Sequence, residues 1–308
     1  MFDYLEFSLY LPEGQYNKNK VSNFGEVRIG HLPLNVRYNS YTQVLTVKGS
    51  LPYFYQGHNF FFSKENLNKS ISALNDLLGV DLFEATVSIM EYGVVILLPF
   101  EVDEFLDCHV KSRGYLEDIY KTRGKTYNKK DGSYHLKFYL LWKNLDKNPN
   151  KVSPAIKDEL RKTKYKRKNN PMRIELHGSP KSLLGYNTIL LKELLSDRVE
   201  AQCRNLLLKT YKRIKKWERL DASFLKQIST IDTQLLLLLL LSRHCKNYME
   251  EINKLIEYFN VKPQCKTAFR RRIKDKIRSI PHKSCTYSAE NLILKALQEN
   301  SDIYKKTR

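Results

Sequence analysis

Residues 133–142 read SYHLKFYLLW, and the fold turns on whether they form a strand. If they do, successive side chains point to opposite faces of a sheet. Leu136, Phe138 and Leu140 then share one face, and His135, Lys137 and Tyr139 share the other. A half-buried strand usually turns a mixed polar face to water. Here that face carries an imidazole, an ammonium and a phenol in a row, so it is either a solvated surface or a nucleophile with its attendants.

Working outward, MRIELHG at 172–178 has the same design: Met172, Ile174 and Leu176 face one way, Arg173, Glu175 and His177 the other. Glu175 and His177 therefore sit about 7 Å apart along one face, a spacing at which both side chains can lean onto one ion. A third strand, EATVSIMEYGVVILLPF from 84 to 100, offers Glu91 between Met90 and Tyr92. Three strands thus bring Glu91, Glu175 and His177 together with Tyr139, each on its less apolar face.

The rest of the chain is organised around these strands. Residues 1–62 are β-rich, with alternation in MFDYLEFSLY, EVRIGHLPLNVRYNS and QVLTVKGSLPYF and with Asn, Ser and Gly at the joints. Ser63 is an N-cap for a helix whose apolar positions are Leu67, Ile71, Leu74 and Leu78, and Gly79 ends it. A second helix is expected over 102–114. Strands and helices around one central sheet make the fold class α+β. From about Leu183 the composition turns helical. NLLLKTYKRIKKWERL at 205–220 reads as an amphipathic basic helix, and MEEINKLIEYFN, VKPQ and KTAFRRRIKDKIRSI together outline a helix-turn-helix. The expected division is a catalytic domain over 1–200 and a helical basic region over 201–308.

The charge balance narrows the partner. Among 308 residues, 53 Lys and Arg stand against 33 Asp and Glu, a net +20, while 42% hydrophobic content supports a real core. A folded protein this basic points to a polyanion, and nucleic acid is the commonest. Seven of the twelve residues from Lys157 to Lys168 are basic. Lys164, Lys166, Arg167 and Lys168 are candidate phosphate contacts, as are Arg270, Arg271, Lys274 and Arg278 on the second helix of the helix-turn-helix outline. The leucine run 235–241 is too short for the roughly 20 residues that cross a bilayer, and neither a signal peptide nor a lipidation motif is present. Five widely spaced cysteines without CxxC fit a reducing cytoplasm. His244, Cys245, Cys265, His282 and Cys285 match no common zinc-finger spacing.

The chemistry of the three-strand face is coherent. Carboxylate oxygens suit Mg²⁺ or Mn²⁺, and an imidazole favours Mn²⁺. A tyrosine can attack a DNA phosphate while such an ion polarises the phosphoryl oxygens. Lys137 or His135 can hold the phosphate or lower the phenol's pKa. Tyr127, in GKTYNKKDGSY, is a competing nucleophile. Glu175 beside Arg173 also reads as an ion pair, which contributes little if exposed.

Several segments resemble, in order, the replication initiators of filamentous phages and related plasmids, rolling-circle nickases placed with the HUH endonucleases. They are VKGSLPYFYQGHNFF, LNDLLGVD, VSIMEYGV, LKFYLLWKNL and MRIELHGSPKSLLGY, and they span roughly residues 40–190. The resemblance implies an HUH-like N-terminal domain with a central antiparallel sheet and flanking helices. It implies an origin-specific nick, a 5′-phosphotyrosine and a free 3′-OH that primes synthesis, followed by rejoining of the strand. On the matching positions Tyr139 is the nucleophile, Glu91 and Glu175 are metal ligands, and Gly57 and Asn59 of the G-H-N segment are structural. The chain departs from the pattern in having no His-hydrophobic-His motif, with Glu175-Leu176-His177 as its nearest counterpart, and in placing the tyrosine before it.

The expectation is therefore a cytoplasmic, metal-dependent nickase that acts on single- or double-stranded origin DNA, with a host helicase as a further partner and no small-molecule substrate. The alternative is a non-catalytic origin-binding or repressor protein, which would keep the basic helices and need neither metal nor tyrosine. An RNA-binding protein is allowed by charge, but no aromatic stacking motif of the known RNA-binding folds is visible.

Overall fold

The computed structural model describes residues 1–12, 26–27, 32–98, 105–106, 109–112, 114–120, 124–216, 257, 262–279 and 289–302. Alternating apolar segments become strands β1 (Phe2–Tyr10), β2 (Glu26–Val27), β3 (Leu34–Asn39), β4 (Val44–Ser50), β5 (Thr86–Leu97), β6 (His109–Ser112), β7 (Tyr115–Tyr120), β8 (Gly124–Lys129), β9 (Tyr134–Leu140), β10 (Pro171–Gly178) and β11 (Ile214–Lys216). Nine of them form one sheet in the order β2-β3-β4-β1-β5-β10-β9-β8-β7, and every pairing within it is antiparallel. The mixed α+β class with a central antiparallel sheet is as expected. The remaining pair is β6 with β11.

The helices are α1 (Leu51–Gln56), α2 (Lys64–Leu78), α3 (Leu141–Lys147), α4 (Pro154–Lys162), α5 (Pro180–Leu184), α6 (Asp197–Lys212), α7 (Pro263–Ser279) and α8 (Ala289–Asp302). α2 begins and ends where the sequence signals it. The Ser63 hydroxyl accepts from the Asn66 N–H at 2.9 Å, and Gly79 closes the helix in the left-handed region at φ 71°.

Three expected elements differ. Within the helix expected over 102–114, Phe105 and Leu106 are helical, but 109–112 form strand β6, with Gly114 in the left-handed region at φ 87° just before β7. His109 anchors the strand: its Nδ1 lies 2.6 Å from the Phe105 carbonyl and its Nε2 2.8 Å from the Tyr211 hydroxyl. The basic helix over 205–220 stops at Lys212, and Ile214–Lys216 is extended against β6. The strand expected to run through SLPYF also ends, at Ser50, whose hydroxyl caps α1 with Pro52 in the first turn.

The apolar face of the sheet carries Tyr92, Leu136, Phe138, Ile174 and Leu176, all buried. α6 covers part of it with Cys203, Leu207 and Tyr211, and α8 packs on β5 with Ile293 and Leu297 buried. The chain divides into two compact units, 1–215 with 289–308, and 216–288. The boundary thus falls at 215/216 instead of 200/201, because α6 packs on the sheet, and the last helix rejoins the first unit. In the second unit, α7 carries the described structure. The leucine run, His244, Cys245, His282, Cys285 and, apart from Glu257, the first helix of the helix-turn-helix outline lie outside the described residues. No described helix is long and apolar enough to cross a membrane.

Candidate active site

The face of the sheet opposite α6 and α8 holds the polar residues picked out by alternation. Register aligns them: Glu91 pairs with His177, His177 with His135, Glu175 with Lys137, and Arg173 with Tyr139. One residue joins them that strict alternation would bury. Between β1 and β5 the pairing steps from Phe2↔Tyr92 to Leu5↔Met90. Two residues, Asp3 and Tyr4, therefore stand opposite Glu91. This β-bulge keeps Leu5 in the core and turns Asp3 toward the acids. Asp3, Glu91 and Glu175 offer carboxylate oxygens within 4.8 Å of one another, and all three are buried.

The carboxylates sit in a dense network. Arg173, with no exposed surface, donates from Nε to Glu175 Oε2 at 2.6 Å and from Nη1 to the Asn59 carbonyl at 2.9 Å. Its Nη2 pairs with Asp3 Oδ2 at 3.1 Å. The Asn59 amide donates to Asp3 Oδ2 at 2.6 Å, and the Ser50 hydroxyl donates to Asp3 Oδ1. Gly57, left-handed at φ 78°, ends α1 so that the chain can return over the sheet at Asn59. Lys137 Nζ donates to Glu91 Oε1 at 2.8 Å and lies 3.8 Å from Glu175 Oε1. His177 Nδ1 also meets Glu91 Oε1 at 2.8 Å. Gly93, paired with Glu175, lets the strands close up there. A Cβ on it would lie 2.6 Å from the Ile174 carbonyl oxygen and 2.7 Å from Glu175 Cβ.

Tyr139 donates from its hydroxyl to Glu175 Oε2 at 3.1 Å and accepts from Asn59 Nδ2 at 3.4 Å. Burial first, then the Glu175 carboxylate, raises its pKa well above the ordinary phenol value. The two neighbouring glutamates are driven apart. Burial, reinforced by Glu91 and opposed by Arg173 and Lys137, pushes Glu175 up to about 7. Burial also disfavours the charge on Glu91, but the His177 hydrogen bond and Lys137 outweigh it and hold that carboxyl down at about 2. A protonated phenol thus meets a carboxyl group poised near neutrality, an arrangement suited to proton transfer.

These groups border a cavity of about 330 Å³ whose lining includes Asp3, Glu91, Glu175 and Tyr139, and also Lys137, Lys143, Lys147 and Lys151. Three buried carboxylates with a buried Asn59 Oδ1 that has no hydrogen-bond partner among the described residues form an all-oxygen donor set, which fits a hard divalent cation such as Mg²⁺ or Mn²⁺.

The expected residues fare differently. Glu91, Glu175, Tyr139 and Lys137 come together. His177 falls outside the three-carboxylate group and buttresses Glu91, so the third acid is Asp3. His135 stacks on His177, ring centroids 4.5 Å apart, four residues along the strand from Tyr139. Tyr127 is fully buried on the apolar face, edge-on to Phe138 at 5.8 Å. Arg173, read as one half of an ion pair with Glu175, is the most enclosed charge in the site.

Of the expected phosphate contacts, Lys164, Lys166, Arg167 and Lys168 do not line the cavity. Lys164, Arg167 and Lys168 are exposed and Lys166 half-buried. Arg167 is held by Asp146 at 2.7 and 2.8 Å above the Trp142 ring. On α7, Arg270 pairs with Glu257 and Arg271 with Asp275 at 3.8 Å. Lys274 and Arg278 belong to the same helix, and their side chains lie outside the described residues. Sequence reasoning missed Asp3, Lys143, Lys147 and Lys151; the one available signal was the four-residue spacing of the lysines in KNLDKNPNK.

No protein-family model matches the chain, and no curated protein matches it.

Proposed function

We propose that the protein is a metal-dependent DNA strand transferase of the rolling-circle type, which nicks one strand through Tyr139 and later rejoins it. The observation that carries this reading is the Tyr139 hydroxyl, 3.1 Å from Glu175, beside three carboxylates at a lysine-lined cavity. Asp3, Glu91 and Glu175 would hold a divalent cation, whose chemistry is to polarise the phosphoryl oxygens. Glu175 takes the phenol's proton, the Tyr139 oxygen bonds to phosphorus, and the bond from phosphorus to the 3′ oxygen breaks. The departing oxygen collects a proton from water. The 5′ end stays on the enzyme as a phosphotyrosine ester, so reversal of the step reseals the strand without ATP. Asn59 and Arg173 hold Tyr139 and Glu175 in place throughout.

One observation favours a non-catalytic DNA-binding protein instead: Lys137 already places an ammonium against Glu91 and near Glu175. The test mixes purified protein with 5′- and 3′-labelled single-stranded DNA from its own replicon, with Mn²⁺ or EDTA, and then denatures. A covalent adduct that needs metal, is lost in Tyr139→Phe and is kept in Tyr127→Phe supports the nickase. Binding without cleavage under every metal condition overturns it in favour of the binding protein.

A further inference from the structure

Beside the acid cluster the cavity wall changes character. Tyr53, on α1, is 1% exposed and lines the cavity, and its hydroxyl has no hydrogen-bond partner among the described residues. A buried hydroxyl without a partner is costly, so its presence asks for a ligand. Lys151, at the end of the short turn after α3, lies over the Tyr53 ring with Nζ 4.2 Å from its centroid. Lys151 makes no ion pair with a carboxylate among the described residues; the nearby acids are engaged by Lys137 and Arg173. Lys147, one turn along α3 from Lys143, extends the same wall outward and is exposed. Four lysines among the lining residues outnumber its three carboxylates, so the wall favours an anion even with the acids charged.

We infer that Tyr53 and Lys151 form a phosphate subsite, extended by Lys147, for the DNA strand that flanks the bond attacked by Tyr139. The inference rests on the nicking reading for the identity of the strand. A phosphodiester oxygen there takes the Tyr53 O–H as donor and the Lys151 ammonium as counter-charge.

The experiment measures anisotropy of a labelled single-stranded oligodeoxynucleotide, in EDTA so that no cleavage occurs, across a series of salt concentrations. Lys151→Gln should make the slope of log affinity against log salt shallower by about 0.7, the value for one phosphate contact to a single strand, and Lys151→Arg should restore it. Tyr53→Phe keeps the ring and its packing and should weaken binding at least about tenfold, the worth of one hydrogen bond to a charged acceptor. Tyr127→Phe, on the apolar face, should bind like wild type. If Lys151→Gln keeps the wild-type slope and Tyr53→Phe keeps the affinity, the subsite is wrong, whatever the adduct assay finds. If the slope changes as expected but wild type never forms an adduct, the subsite stands and nicking falls. Tighter binding to RNA of the same sequence, with the same loss in both variants, would overturn DNA as the ligand.

Discussion

Replacing Arg173 by methionine tests the idea that the site is a buried charge network. The guanidinium has no exposed surface and serves Glu175, Asp3 and the Asn59 carbonyl at once. Methionine keeps much of the side-chain length, so packing loss is small and the main change is electrostatic. Removing one partner of a buried ion pair leaves an uncompensated charge, at a cost of about 3–5 kcal/mol. For a unit of this size each kcal/mol lowers Tm by about 2–4 °C, so the variant should melt roughly 6–20 °C lower.

The pH dependence sharpens the test. Glu175 already sits up at about 7 against an ordinary value of 4.5, through burial and Glu91, and Arg173 is the largest charge opposing that rise. Without Arg173 it climbs further. A carboxyl whose folded pKa exceeds its unfolded value binds more protons when folded, so stability falls as pH rises from the unfolded value through the folded one. The unfolded carboxyl titrates alike in both proteins and cancels, so the deficit of Arg173→Met against wild type should be constant at lower pH and widen from about pH 7, the wild-type folded value, toward the higher value of the variant. Adding Glu175→Gln should return part of the loss, since the two sites are in contact and their effects are not additive. The assay is urea unfolding followed by circular dichroism in EDTA. A cost under about 1 kcal/mol at pH 7, or a deficit independent of pH, refutes the reasoning.

Gly93→Ala should cost about 1–3 kcal/mol, because its Cβ meets backbone and Glu175 Cβ, and it should also weaken Mn²⁺ binding measured by calorimetry. His135 is held down at about 4 by burial, Lys137 and His177. Folded protein then binds fewer protons than unfolded between about pH 4 and 6.5, so stability should rise with pH across that window, and His135→Asn should flatten the rise seen in thermal melts. Tyr127→Phe should cost about 1 kcal/mol in unfolding experiments for a buried hydroxyl, with adduct formation unchanged.

The sequence by itself determined which side chains share a face. Period-two alternation is a property of the extended backbone alone, so Glu91, Glu175, Lys137 and Tyr139 could be placed together from MEYG, IELHG and LKFYLLW, and the observed register agrees. The cap and stop of α2 were equally local, resting on Ser63 and Gly79. Elements whose form depends on distant partners were not legible. His109–Ser112 is a strand because Ile214–Lys216 pairs with it, and the basic segment after Lys212 leaves its helix for the same reason.

Tertiary structure also decided what the site contains. Asp3 reaches the acids through a bulge whose extra residue is defined only by the opposing strand. Arg173 changes from one half of an ion pair to the centre of a network because the chain after α1 folds over it at Asn59. Lys147 and Lys151 look like any solvated lysines until α3 and the turn after it are set against Tyr53. Alternation assigns a face, but burial and charge depend on what covers that face, and that is settled only when segments far apart in the chain pack together.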